Sequence, residues 1–271
     1  MSVLYDAPGP RAIKRHRLIG IATIVFLIAV AVAVVWKLWT EDQFTAAVWE
    51  PFVTPSIIEY LGEGLWATVK TAIFAIIGAL AVGVVFGVAK LADTKLISVP
   101  AWIFVEFFRA VPLLTLIIFL WALLYSFQVG TIWPLVLGLV LYNGSVLAEV
   151  FRAGINAVPH GQVEAAYALG LRKGAVTRTI QLPQAIKIMT PALISQCIVT
   201  LKDTSLAFYI VAPSLTYSGR GIWLEFNNRF ATAIVLAVIY IILNLLLEQL
   251  GKYVQRRLTT SPTVKAVAIN V

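Results

Sequence analysis

Apolar runs about twenty residues long recur along this chain between short polar stretches, and a run of that length has few stable environments. About 20 apolar residues in a helix match the ~30 Å hydrocarbon core of a bilayer. Inside that core each backbone N–H and C=O must be bonded within the chain, which leaves helices or closed barrels. The runs are continuous, not alternating, so they predict an all-α membrane protein with about six transmembrane helices. They fall near 18–38, 65–91, 111–127, 131–150, 190–212 and 230–250. Only 13% of the residues are charged, against about 25% for a soluble domain, which agrees with an outer surface that faces lipid.

The charges that do occur set an orientation. A basic tail over 1–17 (Arg11, Lys14, Arg15, Arg17) precedes the first helix, 18–39. That run is long enough to span, and it ends in Trp36, Trp39 and acidic residues where a signal peptide would carry a small-residue cleavage site. The polar, acidic stretch 40–60 then reads as extracytoplasmic. Residues 60–250 form a five-helix core, and 251–271 a second basic tail. Placing both termini in the cytoplasm puts sixteen of the 21 Lys and Arg on inner segments. This is the positive-inside asymmetry of a multi-pass plasma-membrane protein, and it accounts for the net charge of +8 without nucleic acid. The single cysteine, Cys197, lies in an apolar run and allows no intrachain disulfide.

One polar, basic segment of this orientation demands a role. Over 152–187, on the cytoplasmic side, Pro159 and Gly161 break the chain before a helical stretch at 162–169. Glu164 falls in its first turn, where a carboxylate suits the helix dipole. Ala165, Ala166 and Ala168 favour helix and keep it thin. Gly170 stands where a left-handed cap is needed. A second short helix, 173–181, runs into Leu182-Pro183, where the proline is expected to end it. Physical chemistry alone leaves two readings: a hairpin that fits a partner's groove, or an amphipathic hairpin lying on the membrane.

Polar residues inside the apolar runs are the second signal, because unpaired charge in lipid is costly. Lys202, Asp203, Thr204 and Ser205 interrupt the fifth span and are candidates to line a translocation path, with Asn143 and Ser145 of the fourth span. Glu149 and Arg152 share a helix face, as do Glu106 and Arg109, each as an ion pair or an inner gate. Lys70 is expected to snorkel outward beside Trp66. In the second span Gly83 and Gly87 form a small-xxx-small pair, suited to close helix contact. No phosphate-binding loop, zinc-protease, nucleophile-elbow or Cys/His metal motif is present, so the chain is read as non-catalytic, without a metal site or cofactor of its own.

The spacing Glu164-Ala165-Ala166, three residues, Gly170, nine residues, Ile180-x-Leu182-Pro183 resembles the EAA signature of the membrane subunits of binding-protein-dependent ABC importers. Phe107-Phe-Arg-Ala-Val-Pro-Leu-Leu114 is similar to the FFRGTPLL stretch of the polar amino acid permeases, with Ala110 and Val111 where Gly and Thr are usual. Ala148-Glu-Val-Phe-Arg-Ala-Gly-Ile155 resembles their AEIFRGGI, and Val158-Pro-His-Gly-Gln162 and Leu201-Lys-Asp-Thr-Ser-Leu206 look like further family elements. The likeness covers most of 60–250, and by overall resemblance, including the proline-rich stretch 6–10, the chain looks closest to actinobacterial glutamate permeases.

That resemblance implies a type I importer fold in which the loop is a coupling helix docked on a cytoplasmic ATPase. It further implies a homologous permease as partner in a heterodimer, two ATPase subunits carrying ATP and magnesium, and an extracytoplasmic substrate-binding protein. The cargo implied is a polar amino acid, glutamate first, with glutamine, aspartate or histidine as alternatives. Against it stand an ion-coupled secondary transporter, in which Lys202 and Asp203 carry the coupling charge, and a membrane anchor whose loop only docks.

Overall fold

The structure, a computed structural model, describes residues 9–259, all of whose long elements are helices. Lys265 of the C-terminal basic tail and residues 6–8 of the proline-rich stretch lie outside them. Helix α1 runs Pro10–Thr40 and starts eight residues before the apolar run. Proline is at home in a first helical turn, where its missing N–H would have no partner anyway. The basic residues expected in a tail are therefore helical. None of the apolar window of α1 is buried by the rest of the chain.

A short turn, α2 (Ala46–Trp49), and a 3-10 turn, Glu50–Val53, lead into α3 (Pro55–Ala89). At 1.5 Å per residue α3 is roughly 52 Å long, more than a bilayer core requires. Helices α4 (Lys95–Ala110) and α5 (Leu113–Tyr125) meet at 102° around Val111-Pro112. Then come α6 (Ile132–Asn156), α7 (His160–Ala168), α8 (Lys173–Val176), a π-helical turn (Thr177–Gln181) and α9 (Leu182–Asp203). A 3-10 turn (Thr204–Ile210), α10 (Leu215–Phe226) and α11 (Arg229–Thr259) follow. Among the described residues five helical stretches are long and apolar enough to cross a membrane, six if the bent α4–α5 pair counts as one crossing.

Helix α6 is the centre, packed on α3, α4, α5 and α9. It runs parallel to α3, and their seam depends on the two glycines singled out above. A Cβ on Gly83 would stand 2.6 Å from the Leu147 Cβ. One on Gly87 would stand 2.8 Å from both the Ala148 carbonyl oxygen and the Phe151 Cβ. These are contact surfaces, not tolerated vacancies. The core descends in layers from Leu61, Leu215, Ile222 and Leu236 at one end to Ile155, Val158 and Ala185 at the end that carries the α7–α8 loop.

Two expectations need correction. Pro183 does not end a helix; it sits in the first turn of α9, and Lys173–Ile210 form one long helical unit. An interior proline clashes with the carbonyl four residues back, and the wider π turn immediately before it takes up that misfit. The fifth span is not interrupted at Lys202: the chain stays helical and tightens to 3-10 at Thr204, leaving the helix only at Val211, where φ is 56°. The stretch around Ser218-Gly-Arg-Gly221 is helix α10. Ser214 caps it by accepting the Tyr217 N–H at 3.2 Å, and Gly221 is small because the Tyr60 ring lies against it.

Candidate functional site

The loop is an exposed helical hairpin with a defined cap. Helix α7 begins at His160, two residues earlier than the sequence suggests, so Glu164 lies in the second turn and not the first. Gly170 has φ of 79° and closes α7 in a Schellman motif: its N–H reaches the Tyr167 carbonyl at 2.9 Å, and the Leu171 N–H reaches that of Ala166 at 3.2 Å. Glu164 and Ala165 are exposed and Ala166 is buried. Ile180 and Leu182 are half-buried and Pro183 is exposed, on the long helix behind α7. Val163 packs into the cluster of Ile155, Val158 and Ala185, while the Gln184 amide donates to the Gln162 side chain at 2.6 Å. The apolar tip went unremarked in the sequence: Leu169 is 83% exposed.

Just above the loop, both predicted ion pairs form. Arg109 lies 3.2 Å from Glu106 and Arg152 lies 2.9 Å from Glu149. The structure adds what the sequence did not reveal: the Lys90 ammonium, whose side chain is 4% exposed, lies 3.4 Å from Glu106 and also contacts Glu149. Three helices, α3, α4 and α6, are thus joined in one charge network. In the sequence Lys90 only follows an apolar run, where a lysine ordinarily returns the chain to water. The signal available was its place one turn beyond Gly87, on the face that meets α6.

A second polar layer sits about midway along α6. Asn143, fully buried, accepts the Gln196 amide at 2.5 Å and donates to Asp203 at 3.5 Å. Gln196 went unnoticed in the sequence; it lies seven residues, two turns, before Asp203 on α9. The four-residue stretch at the end of α9 separates by face. Lys202 is exposed, Asp203 half-buried, and Thr204 buried, its hydroxyl donating to the Leu201 carbonyl at 2.6 Å. Ser205 is half-buried, and its carbonyl accepts the Thr216 hydroxyl at 3.2 Å, which ties α10 to this turn. Ser145 is buried two residues from Asn143 on another face of α6 and does not join the group; its hydroxyl has no partner among the described residues. Lys70 is exposed on α3, beside the exposed Trp66 one turn earlier.

Residues 79–260 match the family described as binding-protein-dependent transport system inner membrane component. The chain is 36% identical over 237 residues to the glutamate transport system permease protein GluD of Corynebacterium glutamicum, covering 85% of this chain and 87% of that one. It is 31% identical to the arginine transport system permease protein ArtQ of Bacillus subtilis, over 75% of this chain and 94% of the relative. Among solved structures, an amino acid ABC transporter described with histidines superposes with a TM-score of 0.70 at 30% identity, over 74% of this chain and 94% of the other. The MetNI methionine transporter superposes at 0.64 and 19% identity, a likeness of fold alone.

Proposed function

The chain belongs to the family of binding-protein-dependent transport system inner membrane components, and from that membership we propose that it is a glutamate permease subunit of an ATP-driven importer. It is a membrane-embedded transport subunit and not an enzyme; ATP hydrolysis belongs to a separate ATPase. The choice of glutamate is carried by one observation, the 36% identity over most of both chains to a glutamate permease. Arginine stands as the second cargo, favoured by the 31% identity to ArtQ.

In this reading both termini and the α7–α8 loop lie in the cytoplasm. Exposed Glu164, Ala165 and Leu169 of α7 enter a cleft of the ATPase, with Ala166 and the Gly170 cap holding the helix's shape and Ile180, Leu182 and Pro183 fixing it to α9. ATP and magnesium act on that partner, and its closure moves the loop. A homologous but different permease packs against the face that carries Lys202. What supports this is the depth of Lys202, beside the Asn143–Asp203 contact and midway along α6: an ammonium there, exposed on one subunit, does not face lipid. The path runs between the two subunits, with Lys202 and Asp203 offering opposite charges to the carboxylate and ammonium of an amino acid. Asn143 holds Asp203 in place, and Thr204 and Ser205 back the wall.

The test is uptake of labelled glutamate into proteoliposomes holding both permeases, the ATPase and the binding protein. ATP-dependent uptake that excess unlabelled glutamate abolishes, and equal arginine does not, is the expected result. Uptake that arginine abolishes and glutamate leaves untouched would overturn the assignment of cargo.

A further inference from the structure

The charge network contains one cation more than neutrality requires. Glu106 and Glu149 each have an arginine three residues on, Arg109 at 3.2 Å and Arg152 at 2.9 Å. Two carboxylates and two guanidiniums already balance. Lys90 is therefore not needed to neutralise either acid, yet its side chain is withdrawn from water to 4% exposure. Taking an ammonium out of water is costly, and what it achieves here is a link: it is the residue of the network that touches both pairs, and so joins α4 to α6.

The short turn that begins with Lys90 also reaches the loop. Leu91 packs on the cluster of Ile155, Val158 and Ala185, the same cluster that holds Val163 of α7. Asp93 pairs with Lys173, the first residue of α8. Within four residues the chain grips the inner ends of α4 and α6, the α7 half of the loop, and the α8 half. The turn is short, and its backbone is held by the Leu91 N–H to the Val88 carbonyl at 3.0 Å and the Ala92 N–H to that of Ala89 at 3.2 Å. The turn thus touches both halves of the loop.

We propose that the turn 90–93 is the connecting rod between the coupling loop and the bundle, with Lys90 the positioning residue that moves α4 and α6 together. The proposal rests on the coupling role given to the loop above. Side-chain networks of this kind transmit coupling when both ends bias the same element. Lys90→Met cuts the link while leaving each Glu–Arg pair intact and neutral, so it separates transmission from charge balance.

The experiment uses the full reconstituted complex and reads three quantities in one preparation: ATPase retained on purification, ATP hydrolysed, and glutamate taken up per ATP. Lys90→Met is expected to keep the ATPase bound and hydrolysing while uptake per ATP falls by about tenfold; Lys90→Arg restores it. The exposed pair gives a second arm that does not threaten folding: Asp93→Lys lowers uptake per ATP, and Asp93→Lys with Lys173→Asp recovers it. Unchanged uptake per ATP in Lys90→Met, or a double swap no better than Asp93→Lys alone, overturns the connecting rod. Failure of the underlying reading shows differently, as ATPase that stays bound and coupled when Glu164 is changed to Lys.

Discussion

Gly170 offers a perturbation whose cost can be worked out from the backbone. Its φ is 79°, and a Cβ built there meets nothing within 4 Å. Any penalty for a side chain is therefore conformational, not steric crowding by neighbours. An L-residue in the left-handed region costs about 1–2 kcal/mol, less for asparagine and more for a β-branched residue. The two hydrogen bonds of the cap, Gly170 N–H to Tyr167 at 2.9 Å and Leu171 N–H to Ala166 at 3.2 Å, hold only in that conformation. Amide exchange through local opening should accordingly speed up at Leu171 by about 5- to 30-fold in Gly170→Ala, the equivalent of 1–2 kcal/mol. Gly170→Asn should fall below that range and Gly170→Val above it. Hydrogen-exchange mass spectrometry on the purified complex, with uptake measured alongside, reads both the cap and its consequence. Equal exchange in all four proteins, or an order that follows side-chain volume rather than left-handed tolerance, would refute the reasoning.

Other outcomes follow from the packing and the polar layers. Gly87→Leu must push α3 from α6, because its Cβ already falls 2.8 Å from backbone and side-chain atoms; thermal unfolding in detergent should show a loss of about 1–3 kcal/mol. Gly62→Ala, with open space around it in the same helix, is the control and should be no less stable than the parent. Asn143→Leu leaves the Gln196 amide and the Asp203 carboxylate without their buried partner, at about 1–3 kcal/mol, and should lower both the unfolding midpoint and uptake; parent-like values in both would remove Asn143 from the path. In a Cys197→Ser background, which lacks cysteine, Ala165→Cys should react with an impermeant thiol reagent only from the ATPase side of the membrane, and labelling from the opposite side would invert the topology.

Local rules carried the reading of the sequence furthest where one residue type has one physical use. Gly170 marks the left-handed cap, because no other residue serves as well there. The same rules misled where tertiary structure offers an alternative. Pro183 stays inside a long helix because a π turn absorbs its ring, and no periodicity in the sequence announces such a turn. The glycines of Ser218-Gly-Arg-Gly221 thin α10 where Tyr60 and Leu236 press on it, a use that only the fold reveals. Lys90, Gln196 and Leu169 were invisible as functional candidates for a common reason. Each acquires meaning from a neighbour remote in sequence, or from the lack of one, and spacing along one chain cannot supply that. Glu106–Arg109 and Glu149–Arg152 were legible because helical geometry puts residues three apart on the same face.

The central claim is that energy enters through the loop from an ATPase and not through the spans from an ion gradient. The direct measurement is glutamate uptake into proteoliposomes of the full complex with ATP supplied on the loop side and all ion gradients collapsed by ionophores. The account predicts uptake at the full rate, lost on Glu164→Lys together with the bound ATPase. Uptake that needs an ion gradient and proceeds with the ATPase removed would contradict it.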